Sequence, residues 1–137
     1  MLQTGIKGVL EWTVTEERCA GAVGSGELDV FATPAMIALI EETAWKSVAP
    51  FLQPGEGTVG TALDVRHVAA TPIGLGVRCE TELIEVDRRR LVFRVRVSDP
   101  FGIVGEGTHE RFVIQYEEFM KKVNEKRGGS GMAPEQK

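Results

Sequence analysis

The chain has 137 residues, a formal charge of -4, 42% hydrophobic residues and 26% charged residues. This length fits one domain with one hydrophobic core, and the composition is that of an ordinary globular protein. The acidic balance provides no field for holding a polyanion, so we expect no nucleic-acid partner. No apolar run approaches the roughly 20 residues of a membrane-spanning helix, and the N-terminus does not resemble a signal peptide, so we expect a cytoplasmic protein without a membrane partner.

The N-terminal part of the sequence predicts one strand and one long helix. Residues 6–15 alternate loosely and contain Val, Trp and Thr, which favours a strand. After a glycine-rich connection, Thr33 and Pro34 predict a helix start in which threonine is the N-cap and proline takes the first helical position. The helix is expected to end near Pro50. Because it is apolar around most of its circumference, we expect it to be enclosed.

Four strand-like runs follow the helix, at residues 58–71, 76–87, 91–99 and 103–116. The third run alternates strictly, which predicts one buried face and one exposed face. One strand, one helix and four consecutive strands indicate an α+β protein with the hotdog fold, an antiparallel sheet wrapped around one long central helix. We expect a single domain over 1–127, closed by a charged terminal helix, and a flexible tail over 128–137.

Glu41 interrupts the most apolar part of the predicted helix. Its helical neighbours are Ile37, Ile40, Ala44 and Trp45, so the carboxylate is expected to project from an apolar surface. An unpaired carboxylate there costs on the order of several kcal/mol. Two interpretations follow: the side chain pairs with an arginine or faces solvent at an edge, or it acts as a general acid or base.

Several other residues are candidates for chemistry, and each has a structural alternative. His67 and His109 both lie on strands that can approach the helix, and their spacing does not choose between them. Thr33 is either the helix cap or a hydroxyl that polarises a carbonyl oxygen beside the first helical amides. The basic cluster at residues 88–90 is either a solvated turn or a landing patch for ligand phosphates. Cys19 and Cys79 have no metal-binding or redox spacing, and neither histidine has company that suggests a metal site.

Three segments, VFATPAMIALIEETA, APFLQPGEGTVGTALDVRHVAATPIGL and GEGTHERFVI, resemble the fluoroacetyl-CoA thioesterase family of the hotdog superfamily. In that family a threonine at the head of the central helix, a glutamate eight residues later and a histidine on the next strand are catalytic. The resemblance therefore implies a catalytic set of Thr33, Glu41 and His67, and it favours His67 over His109. The substrate-binding residues that it implies are Gly60, Phe31 and Arg111.

The resemblance implies an acyl-CoA thioesterase that hydrolyses a short-chain acyl-CoA to the free acid and CoA, as a homodimer with sites at the subunit interface and without a metal or bound cofactor. Glu41 would attack the thioester as a nucleophile or activate water as a base. Eight helical residues rise about 12 Å, so Thr33 and Glu41 are not expected to touch directly.

The substrate is less constrained by the resemblance than the reaction is. Residues 16–30 contain no aromatic side chain, whereas the fluoroacetyl enzyme has aromatic residues there that form a lid over the acyl group. This difference predicts an acyl group other than fluoroacetyl. Two alternative functions remain open at this point: a hotdog dehydratase acting on 3-hydroxyacyl thioesters, and a non-catalytic module that binds acyl-CoA.

Overall fold

The structure, a computed structural model, describes residues 1–128 and contains the predicted elements in the predicted order, with one additional four-residue helix in the glycine-rich connection. The strands and helices are β1 (Lys7–Thr13), α1 (Ala20–Val23), α2 (Thr33–Val48), β2 (Glu56–His67), β3 (Gly76–Asp87), β4 (Arg90–Asp99), β5 (Gly102–Gln115) and α3 (Tyr116–Gly128). The predicted tail lies outside the described residues except for Gly128, which ends α3. Within residues 1–128, no helix is long and apolar enough to cross a membrane.

The five strands form one antiparallel sheet in the order β1-β3-β4-β5-β2. This arrangement confirms the predicted α+β architecture of an antiparallel sheet with one long helix. Strand β2 lies at the edge of the sheet, and its one partner among the described residues is β5. A register shift between Gly60 and Ala62 interrupts that pairing, and such a bulge bends the strand and redirects the groups beside it.

The hydrophobic core lies between α2 and the inner face of the sheet. Strand β4 alternates as predicted, with Leu91 and Phe93 fully buried and Arg94 exposed. Each large apolar side chain that is buried in this way stabilises the fold by about 1.5–3 kcal/mol. The buried residues of α2 are Ala35, Met36, Leu39, Ile40, Thr43, Ala44 and Val48.

The prediction that α2 is enclosed is wrong for one of its sides. Ala38 is exposed and 42% of Trp45 is accessible, so the helix presents an apolar stripe that the chain's own sheet does not cover. The physical reason is that a single five-stranded sheet can cover only one side of a helix. Glu41 lies on this open side of α2, between Ala38 and Trp45.

Candidate active site

Thr33 and His67 meet at the start of α2 and the end of β2. The Oγ1 atom of Thr33 lies 2.7 Å from Nδ1 of His67. Thr33 is not the N-cap that the sequence predicts, because that position belongs to Ala32 and no side chain caps the helix. Thr33 is instead the first helical residue, and its hydroxyl is an exposed group hydrogen-bonded to an imidazole.

Burial favours the neutral form of His67. It lowers the pKa of the imidazole, and the backbone of Ala69 offsets only part of this effect. The edge of the imidazole packs against the Phe31 ring, with the ring centroids 6.2 Å apart. The other ring nitrogen, Nε2, is buried and has no hydrogen-bond partner among the residues that the structure describes. A neutral imidazole at His67 can donate a hydrogen bond to Thr33 or accept one from it, and it does not carry a charge.

Glu41 lies two helical turns further along α2, beside Gly60. A Cβ atom built on Gly60 would lie 2.5 Å from Oε2 of Glu41, so only glycine leaves room for this carboxylate. The Glu41 side chain is 41% exposed, so in the single chain the carboxylate faces solvent, as one of the two interpretations of the sequence expects. It faces the open side of the helix and has a cation nearby, since Nη1 of Arg111 is 3.7 Å from Oε2.

Arg111 is buried behind Glu41, with 5% of its surface exposed, and its guanidinium is held by three hydrogen bonds. Nε donates to Oγ1 of Thr58 at 2.8 Å, and Nη2 donates to the Thr58 carbonyl at 3.0 Å. Nη1 donates to Nε2 of His109 at 3.1 Å. Burial lowers the pKa of Arg111, while Glu41 and Tyr116 oppose that shift. The guanidinium is thus a fixed positive charge below the carboxylate.

The candidate residues form two clusters rather than one. Thr33, His67 and Phe31 lie at the first turn of α2, and Glu41, Gly60 and Arg111 lie two turns later. Phe31 is 1% exposed, and its contact in this cluster is with the ring of His67. The assignment of Gly60, Phe31 and Arg111 to substrate binding stays a prediction, as does the role of each catalytic candidate.

The sequence interpretation overlooked the contact between His109 and Arg111. The available signal was their spacing of two residues on one strand, which places both side chains on the same face of the sheet. That face also carries Gly60, which pairs with Arg111 across the β2–β5 ladder. Which side chain on that face meets another depends on register and on the bulge in β2, and neither is readable from spacing alone.

The basic cluster at residues 88–90 forms the turn between β3 and β4. Arg90 is paired with Glu110 at 2.7 Å and with Glu85 at 2.9 Å, so it stabilises the outer face of the sheet. Arg88 remains largely exposed beside Asp87. The two cysteines are free and buried, and burial raises the pKa of Cys79 to about 11, which makes that thiol unreactive at neutral pH.

Comparison with known proteins identifies the family to which this arrangement belongs. The family model described as FlK, fluoroacetyl-CoA-specific thioesterase, matches residues 14–117. The chain belongs to the fluoroacetyl-CoA-specific thioesterase family. The fluoroacetyl-CoA thioesterase of Streptantibioticus cattleyicolor is 49% identical over 98 residues, which cover 72% of this chain and 70% of that protein.

One solved structure supports this membership of the fluoroacetyl-CoA-specific thioesterase family, and a second shows the shared fold. A point mutant of FlK in complex with fluoroacetate and CoA is 38% identical, with a TM-score of 0.82, and the match covers 86% of this chain and 99% of that one. A hot-dog-like protein from Thermanaerovibrio acidaminovorans, 22% identical with a TM-score of 0.86 over 94% and 96% of the chains, shares the fold. The predicted family, hotdog fold and thioester hydrolase class are confirmed.

Proposed function

We propose that this chain hydrolyses a short-chain acyl-CoA to the free acid and CoA, with Thr33, Glu41 and His67 as the catalytic set. The observation that carries the proposal is the hydrogen bond between the exposed Thr33 hydroxyl and Nδ1 of the half-buried His67, at the start of a helix. A catalytic arrangement explains this contact better than a cap does, because the hydroxyl makes no hydrogen bond to the amides of its own helix.

The Thr33–His67 pair polarises the thioester carbonyl in this proposal. If Nδ1 of His67 carries the hydrogen, it donates to Oγ1, and the Thr33 O–H is free to donate to the carbonyl oxygen of the substrate. That tautomer also leaves a lone pair, rather than an N–H, on the unpartnered Nε2, which is the less costly arrangement. The positive end of the α2 dipole adds to the stabilisation of the oxyanion.

Glu41 supplies the attack on the acyl carbon. As a nucleophile it forms a bond to that carbon and expels the CoA thiolate, and water then cleaves the acyl–glutamyl anhydride. As a base it takes a proton from the water that attacks the same carbon. The partial exposure of the carboxylate fits both routes, and Arg111 compensates its charge from below.

We further propose that the active enzyme is a homodimer joined along β2. The backbone edge of this strand is unpaired within the described chain, and residues 60–64 are exposed on both faces. Leu63 and Trp45 remain 36% and 42% exposed beside it. An unpaired strand edge next to an apolar stripe is the kind of surface that a second copy covers in a symmetric dimer.

Such a dimer joins the two clusters into one site. An antiparallel pairing centred on residues 60–64 places Gly60 of one copy opposite Asp64 of the other copy, three residues before His67 at the end of that strand. Glu41 of one chain would then face the substrate held by Thr33 and His67 of the other. The separation of about 12 Å along α2, which keeps the groups apart within one chain, no longer matters.

The composition of residues 16–30 and the two cysteines indicate the acyl group of the substrate and the cellular location. Residues 16–30 provide no aromatic side chain to close over a very small acyl group, so we infer a substrate other than fluoroacetyl-CoA. Two free cysteines fit a reducing compartment, which supports a cytoplasmic location. No metal or bound cofactor takes part in the proposed reaction.

Thiol release from acyl-CoA esters, from acetyl to medium chain, tests the function. We expect turnover on short chains that collapses in Glu41→Gln and in His67→Ala. Glu42→Gln is the matched control, because Glu42 is the next residue of the helix but pairs with Lys46 at 2.6 Å. Binding of the esters without thiol release would identify a binding module instead, and hydration of enoyl-CoA without thiol release would identify a dehydratase.

A further inference from the structure

We propose that His109 is a positioning residue, which holds the Arg111 guanidinium in the orientation from which it faces Glu41. This inference rests on the proposed function of Glu41. His109 has no place in the catalytic set, yet it is 1% exposed and lies among groups that contact that set. A Cβ atom on Gly60 would lie 3.3 Å from the His109 ring and 2.5 Å from the Glu41 carboxylate, so one glycine borders both side chains.

The contacts of His109 define one tautomer of its ring. Nδ1 lies 2.9 Å from the carbonyl oxygen of Ala62, which can only accept, so Nδ1 carries the hydrogen. Nε2 lies 3.1 Å from Nη1 of Arg111, and a guanidinium can only donate, so Nε2 provides a lone pair. Both contacts are satisfied at once only by a neutral imidazole with its hydrogen on Nδ1.

The fold prevents the ring from leaving this orientation. Phe93 stacks against it, with ring centroids 6.2 Å apart and an angle of 29° between the planes. The bulge between Gly60 and Ala62 sets the position of the Ala62 carbonyl. This bulge directly follows Gly60, the glycine that borders Glu41. His109 is thus held on one face by an aromatic ring and at Nδ1 by backbone.

His109 decides the direction of the one guanidinium nitrogen that faces Glu41. Thr58 fixes Nε and Nη2 of Arg111 from one side, and His109 accepts from Nη1 on the other. One N–H of Nη1 donates to the imidazole, so the other N–H of Nη1 points towards Glu41. The distance from Nη1 to Oε2 of Glu41 is 3.7 Å. Without the acceptor on His109, only the two hydrogen bonds to Thr58 hold the guanidinium, and Nη1 beside the Glu41 carboxylate is no longer fixed from its own side.

The electrostatic surroundings keep His109 in its accepting form. Burial and the neighbouring Arg111 cation lower the pKa of the imidazole, whereas the Ala62 backbone, Glu41 and Glu110 oppose the shift. A protonated ring would present an N–H to another N–H and lose the contact with Arg111. The neutral state at physiological pH is therefore the state in which the positioning contact exists.

Paired substitutions test this role through activity. His109→Phe keeps an aromatic ring against Phe93 but removes the acceptor, and we expect kcat to fall about tenfold to a hundredfold with KM changed by less than about twofold. His109→Gln restores an acceptor for Arg111, and we expect kcat within about threefold of the unsubstituted protein. Equal kcat in the Phe variant and the unsubstituted protein, with both folded by circular dichroism, would overturn the proposal.

Nitrogen NMR of the ring tests the geometry independently of turnover. The chain has only two histidines, so the His109 signals are assigned by their loss in His109→Gln. We expect the Nδ1–H tautomer at neutral pH, and a shifted Nε2 resonance in Arg111→Lys. An Nε2–H tautomer would refute the arrangement even if the Phe variant fails to fold. If the protein hydrolyses no acyl-CoA but shows the expected tautomer, the proposed function fails while the His109–Arg111 contact stands.

Discussion

The Oγ1 atom of Thr33 lies 2.7 Å from Nδ1 of His67, although 34 residues separate the two along the chain. The contact joins the first turn of the central helix to the last residue of the edge strand. It removes the threonine from the capping role that its position suggests. Substitution of Thr33 separates a catalytic role from a capping role.

Replacing Thr33 with Val keeps the branched shape and deletes the hydroxyl. We expect kcat/KM for the best acyl-CoA substrate to fall by about 10²–10³, the usual effect of losing one oxyanion donor, and Thr33→Ser to stay within about tenfold. The thermal midpoint should barely change, because Thr33 caps nothing. A loss of about 1 kcal/mol in stability with little loss of activity would instead assign the residue to the helix cap.

Gly60→Ala should damage activity more than stability. The added Cβ would lie 2.5 Å from Oε2 of Glu41, so the partly exposed carboxylate must leave its position beside Gly60. We expect kcat to fall about tenfold or more, since small displacements of a reacting group are costly. Gly76→Ala is the control in another strand, where the nearest heavy atom to the new Cβ is 3.8 Å away. Comparable activity in the two variants would argue against a catalytic position for Glu41.

Mixing two inactive variants tests whether the site is shared between chains. Glu41→Gln and His67→Ala proteins are denatured together, refolded and assayed. If each site combines Glu41 of one copy with His67 of the other, every mixed dimer has one intact site, and random pairing restores about a quarter of the normal activity. If each site uses both residues of a single chain, no activity returns, and the proposed dimer does not assemble the site.

The stability of the fold should decrease on mild acidification. The pKa values of His67 and His109 are lowered in the folded protein, with burial as the main cause in each. Below about pH 6.5 the unfolded chain therefore binds more protons than the folded one. The free energy of unfolding decreases as the pH is lowered through this range, and it does not depend on these two histidines above about pH 6.5. Thermal midpoints measured from pH 8 to pH 5 check this expectation.

The control for the acidification experiment is the double variant His67→Gln, His109→Gln, whose midpoint should depend much less on pH over this range. Glu110 also has a lowered pKa, because Thr61 and Arg90 hydrogen-bond to it, but its titration lies below the ordinary value of 4.5 and outside the range of the experiment. If the thermal midpoint of the double variant depends on pH as strongly as that of the unsubstituted protein, other groups cause the loss of stability in acid.

The sequence was enough to predict the helices and strands and, for β4, which face is buried. The change from helical spacing to alternation located α2 and the four following strands, because side chains repeat every 3.6 residues in a helix and every two in a strand. The motifs around Thr33, Glu41 and His67 also carried the resemblance to the family, which the comparisons confirmed.

The tertiary structure decided which of these side chains meet. The sequence left two roles open for Thr33 and two for Glu41, whereas the fold places Thr33 against His67 and leaves Glu41 partly exposed beside Arg111. The fold also brought His109 into contact with Arg111, whereas their spacing of two residues indicates only that they share one face of the sheet. Such contacts depend on strand register and on the bulge at Gly60 and Ala62, and a shift of one residue would turn every side chain of β2 to the opposite face.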